Sequence, residues 1–261
     1  MPRSPRAMMQ TLVAIILMVA FALLQQQIAG PSMPPPAPDE ARASTSPAKT
    51  PAPMQGQDVA ARGFDFYVLA LSWSPTHCSS PAGRGRDDDL QCRSGRPFGF
   101  VVHGLWPQYV QGWPTYCATD DPRRVAAAVM EAAMKVSPSR QLVQHQWEKH
   151  GTCSGLGQGA YFRAAARAVG GLRMPEAFVN PERPLVTTAD AVRKEFLRAN
   201  AWLDASAVVV TCRRKDIGEV RVCLDKDLRA RACSDEVRRS HCGSREARML
   251  DVRGHWPRSK E

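Results

Sequence analysis

The cysteines constrain the fold of this chain more than any other feature of its sequence. There are eight of them, and all follow an apolar N-terminal segment that has the features of an export signal. An even number of cysteines in an exported protein predicts four disulfides, formed in an oxidising compartment. No two cysteines are spaced as Cys-x-x-Cys, which argues against a zinc ribbon or a thioredoxin-type redox site. Count and spacing leave the pairing open.

The N-terminal part of the chain does not have a globular composition. Within residues 1–30, Arg3 and Arg6 precede an uncharged run over 11–24. This run fits the apolar part of a signal peptide and is shorter than the roughly 18 residues expected of a membrane-spanning helix. We expect a signal peptide, with an uncleaved anchor as the alternative, and therefore a secreted or periplasmic protein that contacts a membrane only if this segment is retained. Residues 31–62 are rich in Pro, Ala and Ser and predict a disordered linker, which leaves 63–261 as the folded domain.

The chain is basic, with a net charge of +10 at pH 7. A basic balance is compatible with a polyanionic substrate, of which nucleic acid is the commonest. Charge alone favours the simpler interpretation, a solvated basic surface.

The pattern of apolar residues predicts an α+β fold. Alternating large apolar residues over 64–73 predict a central strand, and 98–102 predicts a second short strand with His103 at or just beyond its end. Helices are expected from Asp120 or Asp121 to Val136, over 160–169 and over 188–200; further strands are expected over 207–212, 219–224 and 229–233. Strands at both ends with helices between them indicate an antiparallel sheet with helices packed around it, in a single disulfide-stapled domain.

One predicted helix carries an unusual set of polar residues. The segment 144–153 reads Gln-His-Gln-Trp-Glu-Lys-His-Gly-Thr-Cys. In a helix His145 lies above Lys149, and Gln146 above His150, because each pair is four residues apart. These four side chains can therefore face one cavity. Ser139 is placed to cap the start of this helix, and Gly151 suits its end.

A second segment, Phe-Val-Val-His-Gly-Leu-Trp-Pro over 100–107, supplies another histidine, His103. Two histidines from different elements and a nearby lysine are what phosphoryl transfer without a metal requires. One imidazole removes a proton from the attacking hydroxyl, another protonates the leaving oxygen, and a cation stabilises the developing charge. Alone, His103 would be interpreted as a hydrogen-bonded core histidine and Lys149 as a surface lysine; together they favour catalysis.

These two segments closely resemble the two active-site segments of the ribonuclease T2 family, and the resemblance extends over about 64–242. It implies that His103 is the general acid, that His150 is the base that deprotonates the 2′-hydroxyl, that His145 holds the phosphate and that Lys149 stabilises the developing charge. The implied reaction forms a 2′,3′-cyclic phosphate from single-stranded RNA and then a 3′-phosphate, with no metal and no cofactor. Residues 63–261 would be the catalytic domain.

The resemblance also implies a base pocket and a disulfide pattern. Trp106 matches an aromatic of the base pocket, Gln108 stands where some members have an acid that reads the base, and Tyr109, Trp113 and Tyr116 are further candidates for the same wall. The family's usual pairing implies four disulfides in this chain: Cys78–Cys92, Cys117–Cys153, Cys212–Cys242 and Cys223–Cys233. The second pair would join the end of the helix to the loop after His103.

The sequence departs from the family pattern at Gln146, where a glutamate is usual. A glutamine forms hydrogen bonds but carries no charge, so we expect an active enzyme with an altered rate or pH profile.

Two other functions compete with this interpretation. A zinc protease would need histidines four residues apart in His-Glu-x-x-His, whereas His145 and His150 are five apart. An RNA-binding or cytotoxic relative without catalysis would be expected to lack one of the proton-transfer histidines, and both are present. The sequence shows no oligomerisation signal, so a monomer is expected.

Overall fold

The computed structural model describes residues 63–84 and 89–252. The predicted signal peptide and linker lie outside these residues. The strands are β1 (Phe66–Trp73), β2 (Phe100–Gln108), β3 (Leu185–Thr188), β4 (Val208–Arg213), β5 (Asp216–Leu224) and β6 (Glu246–Met249). The helices are α1 (Ser74–Cys78), α2 (Asp89–Cys92), α3 (Ala127–Ala133), α4 (Arg140–Lys149), α5 (Gln158–Gly170), α6 (Ala189–Ala199) and α7 (Asp235–Arg238). None of these helices is long and apolar enough to span a membrane.

The strands form one sheet in which β1 lies between β2 and β5, and β5 also pairs with β4. These pairs are antiparallel, as is the pair of β3 with β6. The two smaller strands join the sheet through a single parallel contact between Asp216 and Arg248. The α+β prediction is confirmed, and this contact is the one departure from an antiparallel arrangement among the described strands.

The central strand β1 is buried on both faces because its side chains alternate between two apolar clusters. Tyr67, Leu69 and Leu71 belong to the main core, where α3, α4, α5 and α6 pack. Phe66 and Val68 belong to a smaller cluster on the opposite face. The strand is central, as the alternating apolar residues predict.

Several elements differ from the sequence-based expectations. The helix expected from Asp120 or Asp121 begins only at Ala127, because the residues before it pack as a loop against later helices. The carboxylate of Asp121 accepts a hydrogen bond from the Gln158 amide at the start of α5, 2.7 Å away. The strand expected over 229–233 is only an isolated bridge between Leu224 and Ala230. The short strands β3 and β6 have no counterpart among the predicted elements.

Four disulfides join Cys78 to Cys92, Cys117 to Cys153, Cys212 to Cys242 and Cys223 to Cys233. These are the pairs that the resemblance implies. The second bond connects the loop after β2 to the 3₁₀ turn Gly151–Cys153, which directly follows α4. It therefore links the two segments that carry the candidate histidines, and a disulfide of this kind contributes about 2–4 kcal/mol to stability.

Candidate active site

His103 lies on a β-bulge inside β2 rather than at the end of a strand. Gly104 pairs with Ala70 and Val102 pairs with Leu71, so His103 is an extra residue without a partner on β1. A bulge turns the extra side chain away from the regular alternation of the strand. The predicted position of His103 at the strand end was therefore wrong, and the bulge is what directs its side chain into a cavity beside the sheet.

The glycine after His103 allows α4 to approach the strand closely. A Cβ atom at Gly104 would overlap the amide oxygen of Gln146 and the indole nitrogen of Trp106. Those two atoms form a hydrogen bond, in which Trp106 Nε1 donates to Gln146 Oε1 over 2.7 Å. The Trp106 ring is thereby tied to the helix, and Gln146 is almost completely buried.

The helix α4 presents its two faces as the sequence predicts. Ser139 caps the helix by accepting a hydrogen bond from the Leu142 amide over 3.2 Å. Trp147 is fully buried in the main core and donates to the carbonyl of Pro122. The helix ends at Lys149. Position 151 requires a glycine, because a side chain there would collide with the Trp147 ring.

The polar face of α4 and the bulge of β2 border a cavity of about 440 Å³. Its lining residues are Val68, His103, Trp106, Gln108, Trp113, His145, Gln146, Lys149, His150, Arg221, Glu236 and Val237. All five candidate catalytic residues are among them, as are three of the candidate base-pocket residues. Tyr109 is not among them. Tyr116 does not line the cavity either, but its ring centroid lies 6.5 Å from that of His145.

A carboxylate that the sequence interpretation did not single out is bonded to His103. Nδ1 of His103 lies 2.5 Å from Oε1 of Glu219 on β5. The other oxygen of Glu219 accepts hydrogen bonds from Nε and Nη2 of Arg221, over 2.9 and 2.8 Å. Burial by itself would raise the pKa of Glu219, but the hydrogen bond and charge of His103 and the charge of Arg221 outweigh it and lower the pKa to about 2. This carboxyl is therefore ionised at any working pH.

Residues 64–242 match the sequence profile of the Ribonuclease T2 family. The chain belongs to the ribonuclease T2 family. It is 35% identical over 219 residues to a ribonuclease of Aeromonas hydrophila, and this alignment covers 77% of the chain and 94% of the relative. The protein is thus a T2-family endoribonuclease.

Solved structures share its fold. An RNase-related protein from Calystegia sepium superposes with a TM-score of 0.57 at 21% identity, covering 73% of this chain and 98% of that one. Trichomaglin, described as an S-like ribonuclease, gives a TM-score of 0.55 at 20% identity, with 73% and 99% coverage.

In this ribonuclease His145 of α4 and His150, which directly follows the helix, lie close to other cationic groups. His150 is buried, and burial together with the charges of Lys149, His103 and His145 lowers its pKa from 6.5 to about 3. Its Nδ1 atom has no hydrogen-bond partner among the described residues. The pKa of His145 is also lowered, by burial and by the charges of Lys149 and His103, with Glu148 opposing them. Both imidazoles are therefore neutral near pH 7.

Glu219 and Arg221 lie outside the two motif segments, although the sequence contains a signal for them. They are two residues apart on a predicted strand, so they share one face of it. On β5 they pair with Ser72 and Ala70 of β1, which alternate with the main-core residues and so belong to the other face of the sheet. The local pattern shows that the two side chains share a face; only the register across the strands shows that this face meets His103.

Proposed function

We propose that this endoribonuclease cleaves single-stranded RNA without a metal ion, by attack of the 2′-hydroxyl on the adjacent phosphate. The products are a 2′,3′-cyclic phosphate and a 5′-hydroxyl, and the cyclic phosphate is hydrolysed more slowly to a 3′-phosphate. The observation that carries the proposal is the meeting of His103 on β2 with His145 and Lys149 on α4, and with His150 directly after it, around one cavity. RNA supplies its own nucleophile, so the protein needs only proton transfer and charge stabilisation.

In this proposal His150 is the general base. A base must begin without its proton, and the lowered pKa of His150 ensures this down to about pH 3 in the free enzyme. A bound phosphate brings negative charge next to Lys149 and His150, which raises the pKa of the imidazole toward the range where it accepts a proton effectively.

His103 is proposed as the general acid, because Glu219 binds its Nδ1 and the side chain borders the cavity, which leaves Nε2 for the substrate. His145 and Lys149 are proposed to hold the phosphate. Their spacing along α4 puts both on the side of the helix that borders the cavity. Lys149 then carries the fixed positive charge that the developing oxyanion needs.

Trp106, Gln108 and Trp113 are proposed to bind a base. The Trp106 ring lies 5.5 Å from the His150 ring, between centroids, so a base stacked on the indole would lie next to the reacting phosphate. Gln108 is buried and its amide donates to the carbonyl of Pro107, so its contact with a base would be limited to the part that borders the cavity. Tyr109 does not border the cavity, which removes the structural support for its place in this pocket.

The test is incubation of the purified protein with total RNA in excess EDTA, followed by analysis of the new ends. We expect undiminished cleavage and 2′,3′-cyclic ends at early times. His103→Ala and His150→Ala should each reduce cleavage by about 10³-fold with an unchanged circular dichroism spectrum, whereas His77→Ala, on α1, should cleave as the parent does. Loss of activity in EDTA, or 5′-phosphate ends, would contradict the proposed chemistry.

We also propose that the protein is exported, with residues 1–30 as the signal, 31–62 as a linker and 63–261 as the catalytic domain. The four disulfides support an oxidising compartment. N-terminal sequencing of the protein recovered from the periplasm or the medium tests this; recovery of the full chain from the cytosol alone would contradict it.

A further inference from the structure

The hydrogen bond between His103 and Glu219 fixes one of the two nitrogens of the imidazole. Glu219 is ionised, and a carboxylate can only accept hydrogen bonds. Nδ1 of His103 must therefore carry a proton and donate it to Oε1 of Glu219. Nε2 is then the nitrogen that gains and loses a proton, and it belongs to a side chain that lines the cavity and is about one-third exposed.

Arg221 holds the carboxylate in the orientation that this bond requires. Two N–H groups of its guanidinium donate to the second oxygen of Glu219, while Oε1 accepts from His103 and, over 3.4 Å, from the hydroxyl of Ser72. The guanidinium is itself anchored between the Trp106 ring, with 5.2 Å from Cζ to the ring centroid, and the hydroxyl of Ser240. The carboxylate is 15% exposed, so its position is determined by these contacts and not by solvent.

We propose that Glu219, held by Arg221, is the positioning residue of His103: it keeps Nδ1 protonated and aims Nε2 at the leaving oxygen of the substrate. This inference rests on the proposed general-acid role of His103. A general acid must begin the reaction with a proton on the nitrogen that meets the leaving oxygen, and the bond from Nδ1 to Glu219 assigns that task to Nε2. Neither Glu219 nor Arg221 has to touch the RNA for this role.

The charged and titratable groups around His103 come from three elements. Glu219 and Arg221 lie on β5, His145 and Lys149 lie on α4 with His150 directly after it, and Glu236 lies on α7 and borders the same cavity. Glu219 is the carboxylate that is bonded to the ring. Replacing it with a neutral group removes the negative charge in direct contact with Nδ1.

Glu219→Gln is the decisive variant, because it keeps an oxygen that can accept from Nδ1 and removes the charge. We expect kcat on RNA to fall by about 10- to 100-fold, the range of a weakened general acid, with KM changed by less than about threefold. Glu219→Asp keeps the negative charge on a shorter side chain and should recover part of kcat.

A second substrate separates positioning of the acid from a structural role. In an aryl ester of a nucleoside 3′-phosphate, such as the 4-nitrophenyl ester, the leaving group departs without being protonated. Glu219→Gln should therefore cleave this ester at nearly the parent rate while remaining impaired on RNA. The ratio of the two activities does not depend on the folded fraction, so it stays informative even if the variant is less stable. Arg221→Gln should change this ratio in the same direction by a smaller factor.

The matched control is Asp190→Asn, which removes the charge from a second histidine–carboxylate pair, that of His241 and Asp190, outside the cavity. Its activity ratio should equal that of the parent. Equal loss on both substrates in Glu219→Gln, or no loss on either, would overturn the positioning role alone. If His103→Ala loses equal activity on both substrates, the general-acid assignment fails and the positioning role fails with it.

Discussion

Two histidine–carboxylate pairs occur in the described part of this ribonuclease, and they resemble each other closely. His103 is bonded to Glu219 over 2.5 Å, and Nε2 of His241 lies 3.0 Å from Asp190. In each pair an arginine also binds the carboxylate. Arg193 donates to Asp190 from one turn along α6, over 2.9 Å.

The pairs differ at the second nitrogen of the imidazole. Nδ1 of His241 accepts a hydrogen bond from the Val210 amide on β4, over 3.0 Å, whereas Nε2 of His103 belongs to a side chain that lines the cavity. His241 must therefore donate from one nitrogen and accept at the other, and it cannot take up a proton without losing a bond to the sheet. His103 can gain and lose a proton while keeping its bond to Glu219.

Proximity of a histidine to a carboxylate therefore does not by itself identify a catalytic pair. His241 joins β4 to α6, next to the Cys212–Cys242 disulfide, and its hydrogen bonds are all used in that role. His103 differs because its Nε2 belongs to a side chain that lines the cavity, whereas both ring nitrogens of His241 are hydrogen-bonded.

The largest expected effect comes from removing each imidazole in turn. His103→Ala should reduce cleavage of RNA by about 10³-fold with little change in melting temperature, since a general acid contributes 10²–10⁴-fold. His241→Ala should lower the melting temperature, because the Val210 amide and Asp190 both lose a partner, and should leave the activity per folded molecule close to that of the parent. Rates on RNA and thermal unfolding followed by circular dichroism check both. A loss of stability in His103→Ala together with a loss of activity in His241→Ala would contradict the distinction between the two pairs.

His150 is buried, and its Nδ1 has no hydrogen-bond partner in the part of the chain that the structure describes. Its pKa is about 3 in the folded protein and 6.5 ordinarily, so between these values the unfolded chain binds a proton that the folded chain does not. The free energy of unfolding must then fall as the pH falls from about 6.5 to about 3. His150→Asn should flatten this dependence, measured by urea unfolding across the range. An unchanged slope would show that His150 is protonated in the folded state.

A moderate effect is expected from Gln146→Glu, which restores the glutamate that the family usually has. A carboxylate can still accept from Trp106 Nε1, so the geometry is kept. Its negative charge opposes the cations that lower the pKa of His150, and the pKa of the base should rise. The acid limb of kcat/KM should therefore lie at higher pH in the variant than in the parent. Superimposable profiles would mean that the glutamine has no electrostatic consequence.

The smallest effect is expected for Asp190→Asn, because the neutral amide can still accept a hydrogen bond from Nε2 of His241. We expect a loss of about 1 kcal/mol in the free energy of unfolding, the net value of one such bond to a charged group over a neutral one. Urea unfolding at pH 7 measures it. A loss several times larger would mean that the ion pair between Asp190 and Arg193 also contributes to stability, beyond the hydrogen bond with His241.

Much of the site could be predicted from the sequence because it depends on local periodicity. The faces of α4 follow from the four-residue spacing of His145 and Lys149, and the Ser139 cap follows from the residue type at the helix start. The bulge at His103 could not be predicted in this way, since it is a property of the pairing between β1 and β2. The same holds for Glu219, whose place next to His103 depends on the register of three strands. Short strands such as β6 are stabilised by distant partners and leave little trace in their own sequence.

The sheet itself does not need the bulge at His103. If His103 were deleted, Val102 and Gly104 would become neighbours opposite Leu71 and Ala70, and the ladder between β1 and β2 would run without interruption. Every other pairing in the two strands would stay in register. The chain would keep a regular edge strand and its main core, and it would lose the imidazole that is bonded to Glu219. The extra residue is therefore dispensable for the pairing of the strands and is accounted for by its proposed role in proton transfer.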